Sequence, residues 1–398
     1  MSAGWYSKRA DIPSDLVILL IAGLTMVIAG LLLFAVYSGK VPYYENGLYG
    51  LLIFIYALQI TVLGKTPFGG ISQRTLPVLM LGIIIACIGI VTCFVPYLLK
   101  SIPRAMLFMC FGPGGMILLL QMLFSKDKFP LWKKKGGILM KLAVNCAALY
   151  SLSIVISILL LDKDFIPESL TAFSVLLYGL LILSLTAVLY KVYALYPAAA
   201  KRPPGGISLS DERAVILITG IFMVLLGLLL IPVTFGLLPF SGSAQLGLLV
   251  VIMSIQMTAF GNTPLRSFTR TWPLVFLGLL FASMGIISCI VPGIMLPWLT
   301  LIIAFLNIGG GAIPLVKMLT SLFSGEQKKT AQMPPVITKL LITQTTLNTL
   351  SIIFGTSMLI RNLIPGPVIG IVLTANGAVL LYLLSLLSKI DMLNEGRA

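Results

Sequence analysis

The chain has 398 residues, of which 59% are hydrophobic and only 10% charged, and its formal net charge is +15. A soluble domain is about a quarter charged, so this chain cannot cover its own apolar surface in water. Lipid, which lets apolar surface face outward, is the solvent that fits. The chain has no histidine. That removes the usual ligand of haem b and of catalytic zinc, and the usual proton shuttle near neutral pH. No metal or cofactor is therefore expected, and the class implied is an all-α integral membrane protein without enzymatic activity.

The N-terminus reads MSAGWYSKRADIPSD and runs into a long apolar stretch. It is basic, as a signal peptide would be. It lacks a small-residue cleavage pattern, and the apolar stretch is long enough to span. It reads as a first transmembrane helix that is retained. A crossing needs about 20 apolar residues, and twelve stretches qualify. In the first half they are 15–37, 47–63, 76–99, 103–124, 137–161 and 169–194. In the second half they are 213–237, 244–261, 272–293, 296–322, 335–360 and 366–388.

Lys and Arg set the orientation. With the N-terminus in the cytoplasm, only Lys40, Lys100, Arg104, Lys163 and Arg361 fall outside. The richest inner loop is Ser125–Gly136, with Lys126, Lys128, Lys133, Lys134 and Lys135. Both termini are thus expected in the cytoplasm of a multi-pass inner-membrane protein. The basic charge is a topology signal and an attraction to anionic headgroups, not a mark of nucleic-acid binding. The lipid bilayer is the one partner the sequence names.

The halves match at a nearly constant offset. Gln59-x-Thr61-x-x-Gly64-x-Thr66-Pro67 recurs as Gln256-x-Thr258-x-x-Gly261-x-Thr263-Pro264, 197 residues on. Arg74, Pro77, Cys93 and Pro96 recur as Arg270, Pro273, Cys289 and Pro292 at an offset of 196. Lys141, Ser153, Pro167, Gly179 and Lys191 recur as Lys339, Ser351, Pro365, Gly377 and Lys389 at 198. Residues 1–195 and 213–398 therefore read as two parallel six-span repeats, joined by a Pro/Gly-rich cytoplasmic linker over 196–212. Within each half, Gly23 and Gly30 resemble Gly82 and Gly89, and Gly220 and Gly227 resemble Gly278 and Gly285. That finer period divides each half into three helical hairpins.

Spans with Gly82, Gly89 and Pro96, and with Gly278, Gly285 and Pro292, resemble the HdeD-like family of bacterial acid-resistance membrane proteins. Those are six-span proteins, so the resemblance implies a doubled version and a role in envelope or acid stress, or as a scaffold. Two parallel six-span halves also resemble the major facilitator layout, which implies a transporter of a small neutral or anionic solute. The loops GKTPFGGISQRT and GNTPLRSFTRT lack the acid that family carries between its second and third spans. A membrane subunit of a larger complex is the third alternative, with its protein partners unknown.

Several residues are candidates for more than packing. Thr66-Pro67 and Thr263-Pro264 are helix-start signals, and a short interfacial turn ending at Arg74 or Arg270 is expected after them. Its amides, with the arginine, suit an anion or lipid phosphate. Lys141 and Lys339, near the inner starts of spans five and eleven, are either headgroup anchors or anion contacts. Gln59, Thr61, Gln256 and Thr258 form the repeated polar motif. On span eleven, Gln344, Asn348, Ser351 and Gly355 share one face, with Asn307 and Asn376 as plausible partners. Such a face either hydrogen-bonds a neighbouring helix or lines a water-filled cavity. The five cysteines, none in a C-x-x-C pair, read as small packing residues. Apart from Asp15, at the very start of the first, no Asp or Glu lies inside an expected span, and the acidic stretch Asp162–Glu168 reads as a solvated outer loop.

Overall fold

The computed structural model describes residues 10–66, 69–70, 75–125, 128–161, 167–197, 210–263, 269–323, 335–360 and 363–395. They form thirteen helices. The first seven are α1 Ser14–Tyr37, α2 Glu45–Leu63, α3 Leu76–Phe94, α4 Ile102–Phe124, α5 Phe129–Lys135, α6 Gly137–Leu161 and α7 Glu168–Leu195. The rest are α8 Asp211–Thr234, α9 Gly242–Phe260, α10 Trp272–Ile290, α11 Leu296–Phe323, α12 Pro335–Leu359 and α13 Gly366–Glu395. A two-residue antiparallel ladder pairs β1 Lys65–Thr66 with β2 Gly69–Gly70.

Eleven of the described helices, all but α5 and α12, are long and apolar enough to cross a membrane. The expected count was twelve. The shortfall is α12, the helix whose Gln344, Thr345, Thr346, Asn348 and Thr349 interrupt its apolar run. Thr345, Thr346 and Thr349 donate their hydroxyls to the carbonyls of Leu341, Ile342 and Thr345, four residues back. Each hydroxyl is thereby satisfied within its own helix.

The helices carry their apolar side chains outward. On α7, Leu170, Phe173, Leu177 and Leu180 are exposed, spaced three or four apart along one stripe. The buried face holds Ala172, Val175, Tyr178, Gly179 and Ile182. That inversion of the soluble pattern suits lipid as the outer solvent. Buried hydroxyls close locally. Thr25, Thr92, Thr186 and Thr219 each donate to the carbonyl four residues back, which meets the demand that a bilayer makes on every polar group.

The chain divides into two compact units. The first comprises residues 1–211, 241–261 and 269–295, hence α1–α7 with α9 and α10. The second comprises 212–240, 262–268 and 296–398, hence α8 and α11–α13. The densest pairings in the first unit are α1 with α7, α2 with α3, α9 with α10, and α4 with α6. In the second, α11 pairs with α12, and α8 meets α13 through Gly220, Gly227, Gly370 and Gly377. These are not the sequence hairpins: the close partner of α2 is α3, not α1.

Glycine decides the pairings, because a missing Cβ lets backbone meet backbone. A Cβ on Gly30 of α1 would lie 2.5 Å from the Leu176 nitrogen of α7. One on Gly89 of α3 would lie 2.8 Å from the Phe54 nitrogen of α2, and one on Gly285 of α10 2.6 Å from the Gly247 oxygen of α9. In the second unit a Cβ on Gly377 would lie 2.7 Å from the Gly220 oxygen. At the centre of the first unit, the Tyr44 N–H donates to the Ile290 carbonyl and the Ser241 N–H to the Phe94 carbonyl, both at 2.9 Å. Cys93 and Cys289 are fully buried free thiols there. Both donate toward the Ala244 carbonyl, at 3.9 and 3.6 Å.

Gly89→Ala forces α2 and α3 apart and is expected to cost about 1–3 kcal/mol. Gly242→Ala, where a Cβ meets nothing within 4 Å, should change stability by less than about 0.5 kcal/mol. Unfolding titrations in mixed detergent micelles read both.

Candidate functional site

The recurring Gln-x-Thr-x-x-Gly motif sits at the C-terminal ends of α2 and α9. Gly64 and Gly261 cap these helices in the left-handed conformation, with φ of 64° and 73°, which a side chain would strain. Thr61 and Thr258 are buried and give their hydroxyls to the carbonyls of Ala57 and Ser254. Their side chains fill the space left by Gly82 of α3 and Gly278 of α10. The motif is therefore a helix cap with a threonine knob facing a glycine. Gln59 and Gln256 are half-buried beside it.

Thr66 does not begin a helix: it lies in β1, paired with Gly69. Its cap signal loses to the short ladder that follows Gly64. Arg74 lies outside the described residues, as do Pro67 and Pro264. Thr263 is half-buried and non-helical. Arg270 turns inward. Its guanidinium donates to the carbonyls of Ala10 and Ala259, the latter at 2.6 Å, and its own carbonyl accepts from the Ala10 N–H at 2.8 Å. It ties the approach to α1 to the end of α9. Lys141 and Lys339 are exposed.

The polar face of α12 divides. Gln344 is exposed, while Asn348 and Ser351 are half-buried. The Asn348 carbonyl and Ile352 lie where a Cβ on Gly311 of α11 would stand, and Gly355 faces Ala304 and Ile308 of α11. Asn307, expected as a partner of this face, donates instead to the Ile303 carbonyl of its own helix at 2.9 Å. Asn376 is half-buried on α13 beside Gly377, which packs on α8.

A concave feature of the first unit lies elsewhere, at the end of the bundle where α1 and α6 finish and α2 and α7 begin. A cavity of about 410 Å³ opens there, within the range of small-molecule sites. Its polar lining is Tyr37, Tyr43, Tyr49, Glu45, Glu168 and Thr171. Deeper in, Leu52, Leu107, Phe111 and Val175 make an apolar floor. Phe111 is held by edge-on contacts with Tyr56 and Tyr178, ring centroids at 5.9 and 5.5 Å. The Tyr49 hydroxyl bonds to Glu45. Burial, with Glu45 and Tyr37 adding to it, holds the Tyr43 phenol well above its ordinary value, so it remains a neutral donor at physiological pH. Arg104 stands near the rim, its guanidinium donating to the carbonyls of Leu160 and Leu161 at the end of α6, the latter at 2.8 Å.

Neither acid stood out in the sequence, because each is the first residue of a helix and reads as a loop charge. Helix start signals were the clue: both follow an aromatic or proline and precede an apolar span. No family model, no curated protein and no solved structure matches the chain.

Arg270→Met strands two carbonyls and should destabilise the protein by about 1–3 kcal/mol. Thr61→Val keeps the knob and removes only a hydroxyl spent on its own helix, so the change should stay below about 1 kcal/mol. Thermal unfolding of the purified variants separates the two.

Proposed function

We propose that this polytopic membrane protein is a non-enzymatic transporter-type carrier that binds a small solute in the cavity at the α1–α2 turn. The observation that carries the reading is the cavity itself: a lined, polar-mouthed space in a bundle where α1–α7, α2–α3 and α9–α10 cross closely at glycines. The absence of histidine, and of any nucleophile motif in the sequence, fits a protein that binds rather than reacts.

A duplicated six-span origin belongs to the same reading. Its support is the match of contacts at the sequence offset. Tyr44 to Ile290 and Ser241 to Phe94 are corresponding bonds, and α1–α7, α2–α3 and α4–α6 correspond to α8–α13, α9–α10 and α11–α12. Kinship with the HdeD-like proteins is part of the proposal, supported by the Gly82/Gly89 and Gly278/Gly285 faces. The basic residues favour cytoplasmic termini in the inner membrane, and the cavity then opens on the outer side. Exposed Lys133, Lys134 and Lys135 on α5, next to half-buried Trp132, suit anionic headgroups at the opposite face.

In a background with the five native cysteines replaced, Val175→Cys should react with a small polar maleimide in membranes. Leu177→Cys, at nearly the same depth but on the outward stripe, should stay silent. Equal silence at both positions would mean a dry bundle and would remove the solute-binding reading.

A further inference from the structure

We infer that the cavity at the α1–α2 turn selects a small organic ammonium ion, a cation with an apolar body, over the neutral or anionic solutes that the sequence suggested. The inference rests on the reading of this cavity as a solute site. Its first ground is charge. The lining includes Glu45 and Glu168 and, among the described residues, no Lys or Arg. Arg104, the nearby basic group, directs its guanidinium to the α6 carbonyls of Leu160 and Leu161. Both carboxylates stand in the first turns of their helices. An anion entering this space would meet two carboxylates and be repelled by them.

The walls supply the second ground. Three tyrosines line the same space as the two acids, and aromatic faces attract weakly hydrated cations. Apart from Thr171, the remaining walls are leucine, isoleucine, methionine, valine and phenylalanine. A bare metal cation would need about six oxygen ligands around one point, and among the described residues no group of three or more His, Cys, Asp or Glu is gathered to hold one. A tertiary or quaternary ammonium needs no such shell. Its charge sits near the carboxylates and its alkyl groups against Leu52, Leu107 and Phe111.

Comparison of the two halves is the third ground. At the offsets that align the repeats, Glu45 falls on Gly242 and Glu168 on Gly366. Helices α9 and α13 thus begin at the matching places without an acid. The carboxylates are not a requirement of starting these helices, and their pairing belongs to the first half alone. In the second unit Gly366 lies against the side chain of Thr234, so that position is closed by packing.

The test uses the full chain in lipid nanodiscs, with choline and tetraethylammonium as cations and 3,3-dimethylbutan-1-ol as the neutral analogue of choline. Ligand-dependent thermal stabilisation is the readout. Both cations should raise the unfolding temperature saturably, and the alcohol should not. Glu168→Gln and Glu45→Gln should each weaken half-saturation by about tenfold, the worth of one modest charge contact. Glu212→Gln, which alters an acid that is bonded to Asn262 and does not line the cavity, should leave the response intact. Stabilisation by the alcohol equal to that by choline, or cation responses unchanged in both glutamine variants, would overturn the cation assignment and leave the solute site standing. No response to any of the three, with Val175→Cys still labelled, would likewise overturn the ammonium class alone. No response together with a silent Val175→Cys would remove the site as well.

Discussion

Backbone-to-backbone contact at glycine is the constraint on which the rest depends. In lipid, apolar side chains gain little by leaving the solvent for each other, so helices associate through close van der Waals approach. Gly30 against Leu176, Gly89 against Phe54, and Gly285 against Gly247 each bring two helices closer than any side chain would permit. Those crossings set which helices are neighbours. They pair α2 with α3 and α9 with α10, and they bring Tyr44, Cys93, Ser241 and Cys289 to the middle of the first unit.

The close crossings also dictate where polarity can go. A bundle closed this tightly has no water with which to satisfy hydroxyls, so threonines bond to their own helices. Some hydroxyls cross to a neighbour: Ser153 reaches the Phe111 carbonyl at 2.7 Å beside Gly115, and the Tyr193 hydroxyl reaches Asp15 at 2.7 Å. The polar helix α12 follows the same economy, its threonines turned on themselves and its Gly355 against α11. Two buried polar atoms among the described residues, Tyr44 Oη and Asn145 Oδ1, are left without a hydrogen-bond partner. Asn145 is otherwise tied to Ser184 by a bond of 2.6 Å.

The cavity lies away from the closest glycine crossings. The bundle is tight where glycines let helices cross, and the cavity lies at helix ends, lined by Tyr37, Tyr49 and Leu107. Two helix starts bring Glu45 and Glu168 to the same lining. A polar, acid-bearing chamber thus arises at the edge of the apolar zone, where ionised groups cost less than at the bilayer centre.

Membrane character was legible in the sequence, because solvent choice follows from composition alone: 59% hydrophobic residues and 10% charged ones admit only lipid. Helix positions were legible too, since a span is a local property of about 20 residues. The Gln-x-Thr-x-x-Gly recurrence was visible, but its meaning as a cap and a knob required Gly82 and Gly278 to be seen across the helix pair. Arg270 was visible as a candidate anion contact, but its bond to the Ala10 carbonyl, 260 residues away, was not. Asn307 was expected to bond across helices, yet the carbonyl four residues back is always in reach. Glu45 and Glu168 are 123 positions apart, and each alone is an ordinary helix start. Only the packing of α1, α2, α4, α6 and α7 brings them to one space, because pair distances between helices depend on crossings that no local stretch of sequence encodes.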